Sequence, residues 1–420
     1  MPADRPAGRR SRRIAIVTHS VVEEDPRIRR EAEALVADGW EVDVFSLRGP
    51  GDPTLHPAIR LIPIGVERHQ GAGIGTYLEE YGSFLVRAGL ALTRAQPRRR
   101  YRVVQVAAPP DPLIVAALPV RLTGVPLILD LHEATPEFFK SRFPGAVNPI
   151  SGRLLHLAER VAIALARVAI SVNAARHARL LSLGYPEGKL RIVTNGPSLA
   201  RFRPEDHPVR PFLADGTLRI VYAGAVTPLY ELDVVVRAVA ELRERRPDLP
   251  VVFDVYGRGD AEAGLNALAA ELGVTDRVRL HGRIPLDAVA GVLAAADIGV
   301  SPIQRNAFGE ISMPTKALEY AVMGKPVIAA DLPTAHEHFE ADMLAWYRSG
   351  DPASLADAAL RIVDDPEGRT RAVARAAIRA RELSWDAEAP AYTALVAEVA
   401  GLPGDPSEPV GPRGGPDEVR

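Results

Sequence analysis

Short apolar runs alternate with longer mixed stretches from residue 14 to about residue 400. Residues 14–18 read Ile-Ala-Ile-Val-Thr, 42–45 Val-Asp-Val-Phe and 103–106 Val-Val-Gln-Val. Runs this short and this β-branched predict buried strands. Between the first two lies a helical stretch, 28–38, stopped by Gly39. Strand, loop, helix, strand is the unit of a parallel sheet. Further strands are expected at 127–131, 168–172 and 189–193, and helices at 77–94, 151–168 and 174–183. A second series follows, with strands at 218–222, 251–255, 278–281 and 297–302. Its helices are expected at 286–295, after Ser312, over 352–381 and over 385–399. The class is α/β. Thr194-Asn195-Gly196-Pro197 is a chain-reversal signal, and 197–216 is rich in Pro, Arg and Asp. The expected organisation is a disordered start (1–12), a first domain (13–196) and a linker (197–216). A second domain (217–384), a last helix (385–400) and a disordered Pro/Gly-rich tail (401–420) follow.

One stretch carries most of the chemistry. Gly309-Glu310-Ile311-Ser312-Met313-Pro314-Thr315-Lys316-Ala317-Leu318-Glu319-Tyr320 reads as a loop running into a helix, and Gly324-Lys325-Pro326-Val327-Ile328 as a turn and strand. Ser312 is the expected N-cap, with Pro314 in the first turn. Such a helix start presents unpaired N–H groups and suits an anion such as a diphosphate. Lys316 lies in the first turn, and Glu319 three residues on shares its face. The same pattern also fits an amphipathic helix with a solvated Lys and Glu.

Composition narrows the class without choosing within it. The 420 residues suffice for two full cores, and 47% hydrophobic with 25% charged is ordinary for a globular chain. There is no cysteine, which excludes disulfides and thiolate metal sites and fits a cytoplasmic setting. No apolar run reaches the length of a membrane span, and the Arg-rich start does not read as a signal peptide. Residues 1–200 hold 27 Lys and Arg against 19 Asp and Glu, a net +8; the rest hold 24 against 34, a net −10. A basic first half leaves an anionic acceptor, or peripheral contact with the inner face of an anionic membrane, open. The basic run from Arg94 to Arg102 fits such contact or a plain exposed turn. Gly71, Gly73 and Gly75 do not follow a strand and are not read as a phosphate loop.

The 309–328 stretch resembles the donor-binding segment of family 4 glycosyltransferases, a family with the GT-B fold of two facing Rossmann-like domains. Glu319 matches the second glutamate of that family's motif. Eight places earlier stands Ile311 rather than an acid, and Glu310 is one place early. The Ser-x-Pro-x-Lys-x-x-Glu-Tyr form is similar to a bacterial subgroup of sugar transferases. Other segments resemble the family in order. Asp25-Pro26-Arg27-Ile28-Arg29-Arg30 opens the first domain, and Asp130-Leu131-His132-Glu133 ends a strand where ligands gather in open α/β sheets. Tyr256-Gly257-Arg258-Gly259 and His281-Gly282-Arg283-Ile284 follow strands of the second domain. The departures are specific. Ala225 and Tyr230-Glu231 stand where the family often has Arg and Lys-Gly around the diphosphate, and Ala107-Ala108 stands where relatives carry a histidine.

The resemblance implies a retaining glycosyltransferase that moves a hexose-type sugar from a nucleotide-diphosphate sugar, UDP- or GDP-linked, to an acceptor hydroxyl. The acceptor would be a glycan, a lipid-linked sugar or a small natural product. It implies no cofactor beyond the donor, no metal and no nucleic-acid partner. On this reading His132 orients the sugar, Lys316 neutralises the leaving diphosphate, and Glu310 or its backbone neighbours hold sugar hydroxyls. Gly224, Gly257, Arg258, Arg283, Ile284, Ser312, Met313, Thr315 and Glu319 surround the nucleotide. Arg27, Arg30 and Glu133 face the acceptor. Two rivals share the fold: a nucleotide-sugar epimerase or hydrolase, and a non-catalytic partner subunit.

Overall fold

The computed structural model describes residues 12–51, 54–66, 74–142, 145, 148–208 and 210–402. Residues 1–11 and 403–420, most of the expected disordered ends, lie outside the described residues, as do Gly71 and Gly73.

Seven strands form the first sheet: β1 (Arg13–Thr18), β2 (Glu41–Leu47), β3 (Ile59–Ile64), β4 (Val103–Ala108), β5 (Leu127–Leu131), β6 (Val168–Ser171) and β7 (Leu190–Ile192). All pair in parallel, in the order β3-β2-β1-β4-β5-β6-β7. Six form the second: β8 (Leu218–Ala223), β9 (Val251–Tyr256), β10 (Val278–Gly282), β11 (Ile298–Ser301), β12 (Val327–Ala330) and β13 (Ala345–Tyr347). They too are parallel, in the order β10-β9-β8-β11-β12-β13. Parallel strands are covered on both faces, which is why the sequence shows them as unbroken apolar runs. In each sheet the order reverses beside its first strand, so the loops leaving the strands' C-terminal ends diverge there into a crevice. The two crevices face each other.

The chain crosses between the units twice, side by side. Trp385 N–H donates to Pro197 O at 2.9 Å, and a Cβ on Gly196 would lie 1.8 Å from Leu383 O. Only glycine allows the two crossings this approach. After the second crossing the helix Trp385–Val399 buries Trp385, Tyr392, Leu395 and Val396 against Ile14, Ile28 and Val44 of the first domain. Arg30 pins the junction: it donates to Gly196 O at 2.7 Å and lies over the Trp385 ring. Phe202, in the stretch read as linker, packs into the second domain's core beside Val221 and Leu318.

Several local expectations are corrected. β3 and β13 were not foreseen, the first because its apolar residues are broken by Arg60 and Pro63. The helix expected at 77–94 runs from Ile74 to Arg99, so the basic run expected as a turn is mostly its last turns. Residues 352–381 form two helices, Pro352–Asp364 and Pro366–Glu382, divided where the Asp365 side chain caps the second. Ser312 is not an N-cap. It closes the short 3-10 turn Gly309–Ile311 and donates to Phe308 O at 2.7 Å, and the helix starts at Thr315 behind Pro314.

Candidate active site

The helix Thr315–Val322 buries Ala317, Leu318, Tyr320 and Ala321 and turns Lys316 and Glu319 the other way. Its start points into the crevice between the domains. Thr315 N–H donates to Met313 O at 2.9 Å, whereas the Lys316 and Ala317 amides find no acceptor among the described residues. Two free amides and the helix dipole leave this end electropositive.

Lys316 runs between two tyrosines, its Nζ 4.0 Å from the centre of the Tyr230 ring and 5.3 Å from that of Tyr222. Enclosure pulls its pKa down to about 8, against the pull of Glu319 in the other direction. Gly224 makes the passage possible: a Cβ there would meet Lys316 Cε at 2.4 Å. Its φ of 156° is also unfavourable for other residues. The same close stacking explains the next loop. A Cβ on Gly257 would lie 1.7 Å from Gly224 O, and one on Gly259 2.0 Å from Val226 O.

Tyr230-Glu231, the departure noted in the sequence, becomes intelligible here. Glu231 has φ 42° and ψ 37°, a left-handed conformation in which glycine is the undemanding residue. Its carboxylate stabilises that turn by accepting from Tyr347 Oη at 3.0 Å and Ser349 Oγ at 2.7 Å. Tyr230, in place of a cation, supplies the ring against which Lys316 rests.

The first domain lines the opposite wall. Arg27 and Arg176 both donate to His132 O, at 3.3 and 2.7 Å, and both approach the Glu133 carboxylate, at 3.5 and 3.7 Å. Arg176 was not singled out in the sequence. The available signal was its place in the first turn of the helix Ala174–Ser182, just beyond β6, where Asn173 caps it. Burial brings its pKa down to about 10. His132 Nε2 contacts Asp130, which burial would push up but His132 holds below its usual value. Beneath them Gln105 Nε2 donates to Glu31 at 2.8 Å and reaches Asp130 at 3.4 Å, and Tyr392 Oη donates to Gln105 Oε1 at 2.8 Å. Burial, then the charge of Asp130, drives Glu31 well above the ordinary carboxylate range, so this pair shares its charge with a proton. Glu31, Asp130 and His132 offer three ligand-type atoms within 4.8 Å of one another. The Gln105 amide that donates into the cluster is a poor neighbour for a cation there.

One cavity between the domains is lined by Arg27, His132, Glu133, Ser312, Met313, Thr315 and Lys316 of the expected set, together with Arg176, Tyr230 and Thr334. Asn173 Nδ2 closes its edge by donating to Ile311 O at 3.0 Å. Glu319 lies on the Lys316 face of the helix, and its carboxylate makes no hydrogen bond among the described residues. Burial raises its pKa. The other expected residues are placed elsewhere. Glu310 faces Arg305 at 3.4 Å on the surface. Arg30 is engaged at the crossing, Arg283 pairs with Glu24 of the first domain, Arg258 packs beside Gly282, and Ile284 is half-buried.

Two parallel-sheet units around a shared crevice, with these groups at the strand ends, define a glycosyltransferase of GT-B fold. The chain belongs to the glycosyltransferase family whose two halves its sequence matches: residues 25–196 fit the description "Glycosyl transferase 4-like domain" and 217–365 "Glycosyl transferases group 1". D-inositol 3-phosphate glycosyltransferase of Streptomyces scabiei is 30% identical over 401 residues, covering 87% of this chain and 84% of that one. The protein of that name from Thermobispora bispora is 31% identical over 379 residues, 85% of each. Among solved structures, sucrose-phosphate synthase of Thermosynechococcus elongatus superimposes with a TM-score of 0.72 at 18% identity, over 93% of this chain and 99% of that one. HepE of Anabaena, solved with UDP and glucose, gives 0.69 at 14% identity over 92% and 99%. No helix among the described residues is long and apolar enough to cross a membrane.

Proposed function

We propose that the protein transfers a hexose-type sugar from a nucleotide-diphosphate sugar to an acceptor hydroxyl, with retention of configuration. The observation that carries this reading is the meeting, in one cavity, of Lys316 and the start of its helix with His132, Arg27 and Glu133. A departing diphosphate gains charge at its β-phosphate. Lys316 and the helix start supply fixed positive potential there, in an enclosed place where such groups act strongly. Binding of the diphosphate restores the full charge of Lys316. Glu319, whose carboxylate is free, accepts from the ribose. His132, fixed through Asp130, faces the sugar, and Arg27 with Glu133 faces the acceptor. UDP in the HepE structure supports a nucleotide-diphosphate sugar as donor, UDP- or GDP-linked. The surface placement of Glu310 moves the sugar-hydroxyl role to the backbone around Ser312 and Met313.

The test is thermal stabilisation by a panel of UDP-, GDP- and dTDP-sugars, followed by nucleoside-diphosphate release with and without acceptor. A donor that binds the folded state raises the melting temperature by mass action. Release only with acceptor supports transfer, release without it supports the hydrolase or epimerase rival, and a flat panel rejects the reading.

A further inference from the structure

The helix Pro149–Leu165 is apolar on the wrong side. Only Glu159, Ala162 and Ile163 of it are buried. Ile150, Leu154, Leu157 and Val161 are 69%, 59%, 55% and 44% exposed. Positions 150, 154, 157 and 161 fall on one helical face, and that face lies away from the buried trio. The long helix Ile74–Arg99 repeats the arrangement. Phe84, Ala88 and Leu92 fill the core, while Val86 and Leu90 are exposed. Both helices pack against the 3-10 segment Asp111–Ala117, on the side of the first sheet opposite the returning C-terminal helix. Leu122, 82% exposed, follows that segment. The exposed apolar residues therefore share one side of one domain, a concentration that scattered surface hydrophobics do not show.

Unpaired cations accompany them. Arg94 and Arg98 on the first helix and Arg153 on the second are exposed and make no ion pair among the described residues. At the C-terminal end of Pro149–Leu165 a separate groove is lined by Arg121, Arg167, Lys189 and Arg191, with Glu398 as its single acid. Lys189 and Arg121 donate there to the helix's last carbonyls, and no carboxylate is salt-bridged to any of the four.

We propose that this side of the first domain is a docking surface for an anionic lipid bilayer. The apolar stripe enters the headgroup boundary, and the arginines and basic groove hold lipid phosphates. An interfacial face combines these two features, apolar residues flanked by Lys and Arg, whereas a protein-binding helix face has no need of the basic groove beside it. None of these residues lines the crevice cavity, and the inference does not depend on the donor reading.

The test is co-sedimentation of the full chain with vesicles of phosphatidylglycerol and phosphatidylcholine in equal parts, beside vesicles of phosphatidylcholine alone. Binding is expected to the mixed vesicles, about tenfold weaker to the neutral ones, and mostly lost in about 0.5 M salt. Leu154→Glu combined with Leu157→Glu should cut the bound fraction about tenfold, with melting temperature and activity on a water-soluble acceptor unchanged. Arg153→Glu with Arg167→Glu, which leaves the apolar stripe intact, should remove the preference for anionic vesicles. No binding to the mixed vesicles, or binding as strong as wild type by either double variant, overturns the proposal. So does a wild-type dimer that the leucine variant dissolves, because the face would then belong to a second copy of the chain.

Discussion

Lys316 Nζ rests 4.0 Å from the centre of the Tyr230 ring and 5.3 Å from that of Tyr222. On the proposed reading this one lysine meets the charge of the diphosphate. Lys316→Ala is expected to lower kcat/KM about a hundredfold or more, roughly 2.7 kcal/mol of transition-state stabilisation. Gly224→Ala, whose Cβ would displace the Lys316 stem, should reproduce much of that loss. Retention of more than half the wild-type rate by folded Lys316→Ala protein would place the diphosphate elsewhere.

The lowered pKa of Lys316 gives a pH signature. Its ammonium is fully present below about 8 and is lost as pH rises through that value in the free enzyme. The profile of kcat/KM should therefore fall on the alkaline side near pH 8. The kcat profile should fall later, because bound diphosphate favours the charged lysine. The stability sign is the reverse. The folded state binds fewer protons than the unfolded one between about 8 and the ordinary lysine value, so stability rises with pH through that window. A kcat/KM profile flat to pH 10 would remove Lys316 from the binding step.

Glu319→Ala is expected to weaken nucleoside-diphosphate binding about tenfold or more while kcat falls less, since a ribose contact is made equally in ground and transition states. Calorimetric titration with UDP and GDP reads this directly. Unchanged affinity for both would sink the ribose assignment.

Full activity should survive excess EDTA. Fixed cations and helix amides can neutralise a diphosphate in place of a divalent ion. In the three-ligand cluster of Glu31, Asp130 and His132, the Gln105 amide donates to Glu31 at 2.8 Å and reaches Asp130 at 3.4 Å. Loss of turnover in EDTA with recovery in Mg²⁺ or Mn²⁺ would reverse both statements.

Glu231→Ala should destabilise the fold by about 2–3 kcal/mol, because Tyr347 Oη is left buried without its acceptor and the left-handed backbone remains unfavourable. Glu231→Gly should be milder by about 1 kcal/mol, since glycine tolerates that backbone. Urea unfolding of the two variants decides it; equal stability of Glu231→Ala and wild type would show that the carboxylate does not hold the turn.

The sequence by itself determined the parallel-sheet class, because strands covered on both faces must be unbroken apolar runs, and 14–18, 103–106 and 127–131 are such runs. It determined that Lys316 and Glu319 share a helix face, since that follows from their spacing. It also placed Tyr230-Glu231, and no cation, in the loop after β8. Tertiary structure alone decided what those two residues do. The approach of Tyr230 to Lys316 joins residues far apart in the chain, and Glu231's left-handed turn depends on Tyr347 and Ser349 more than a hundred positions away. Arg176 was invisible for the same reason: it reaches Glu133 and the His132 carbonyl across neighbouring strand ends, and only the sheet order makes them neighbours. Ser312 is not the cap because the helix begins only at Thr315, behind Pro314, while Ser312 closes the preceding turn. The outward stripe of Pro149–Leu165 was legible as apolar and not as exposed, because periodicity places residues on a common face but only packing decides which way that face turns.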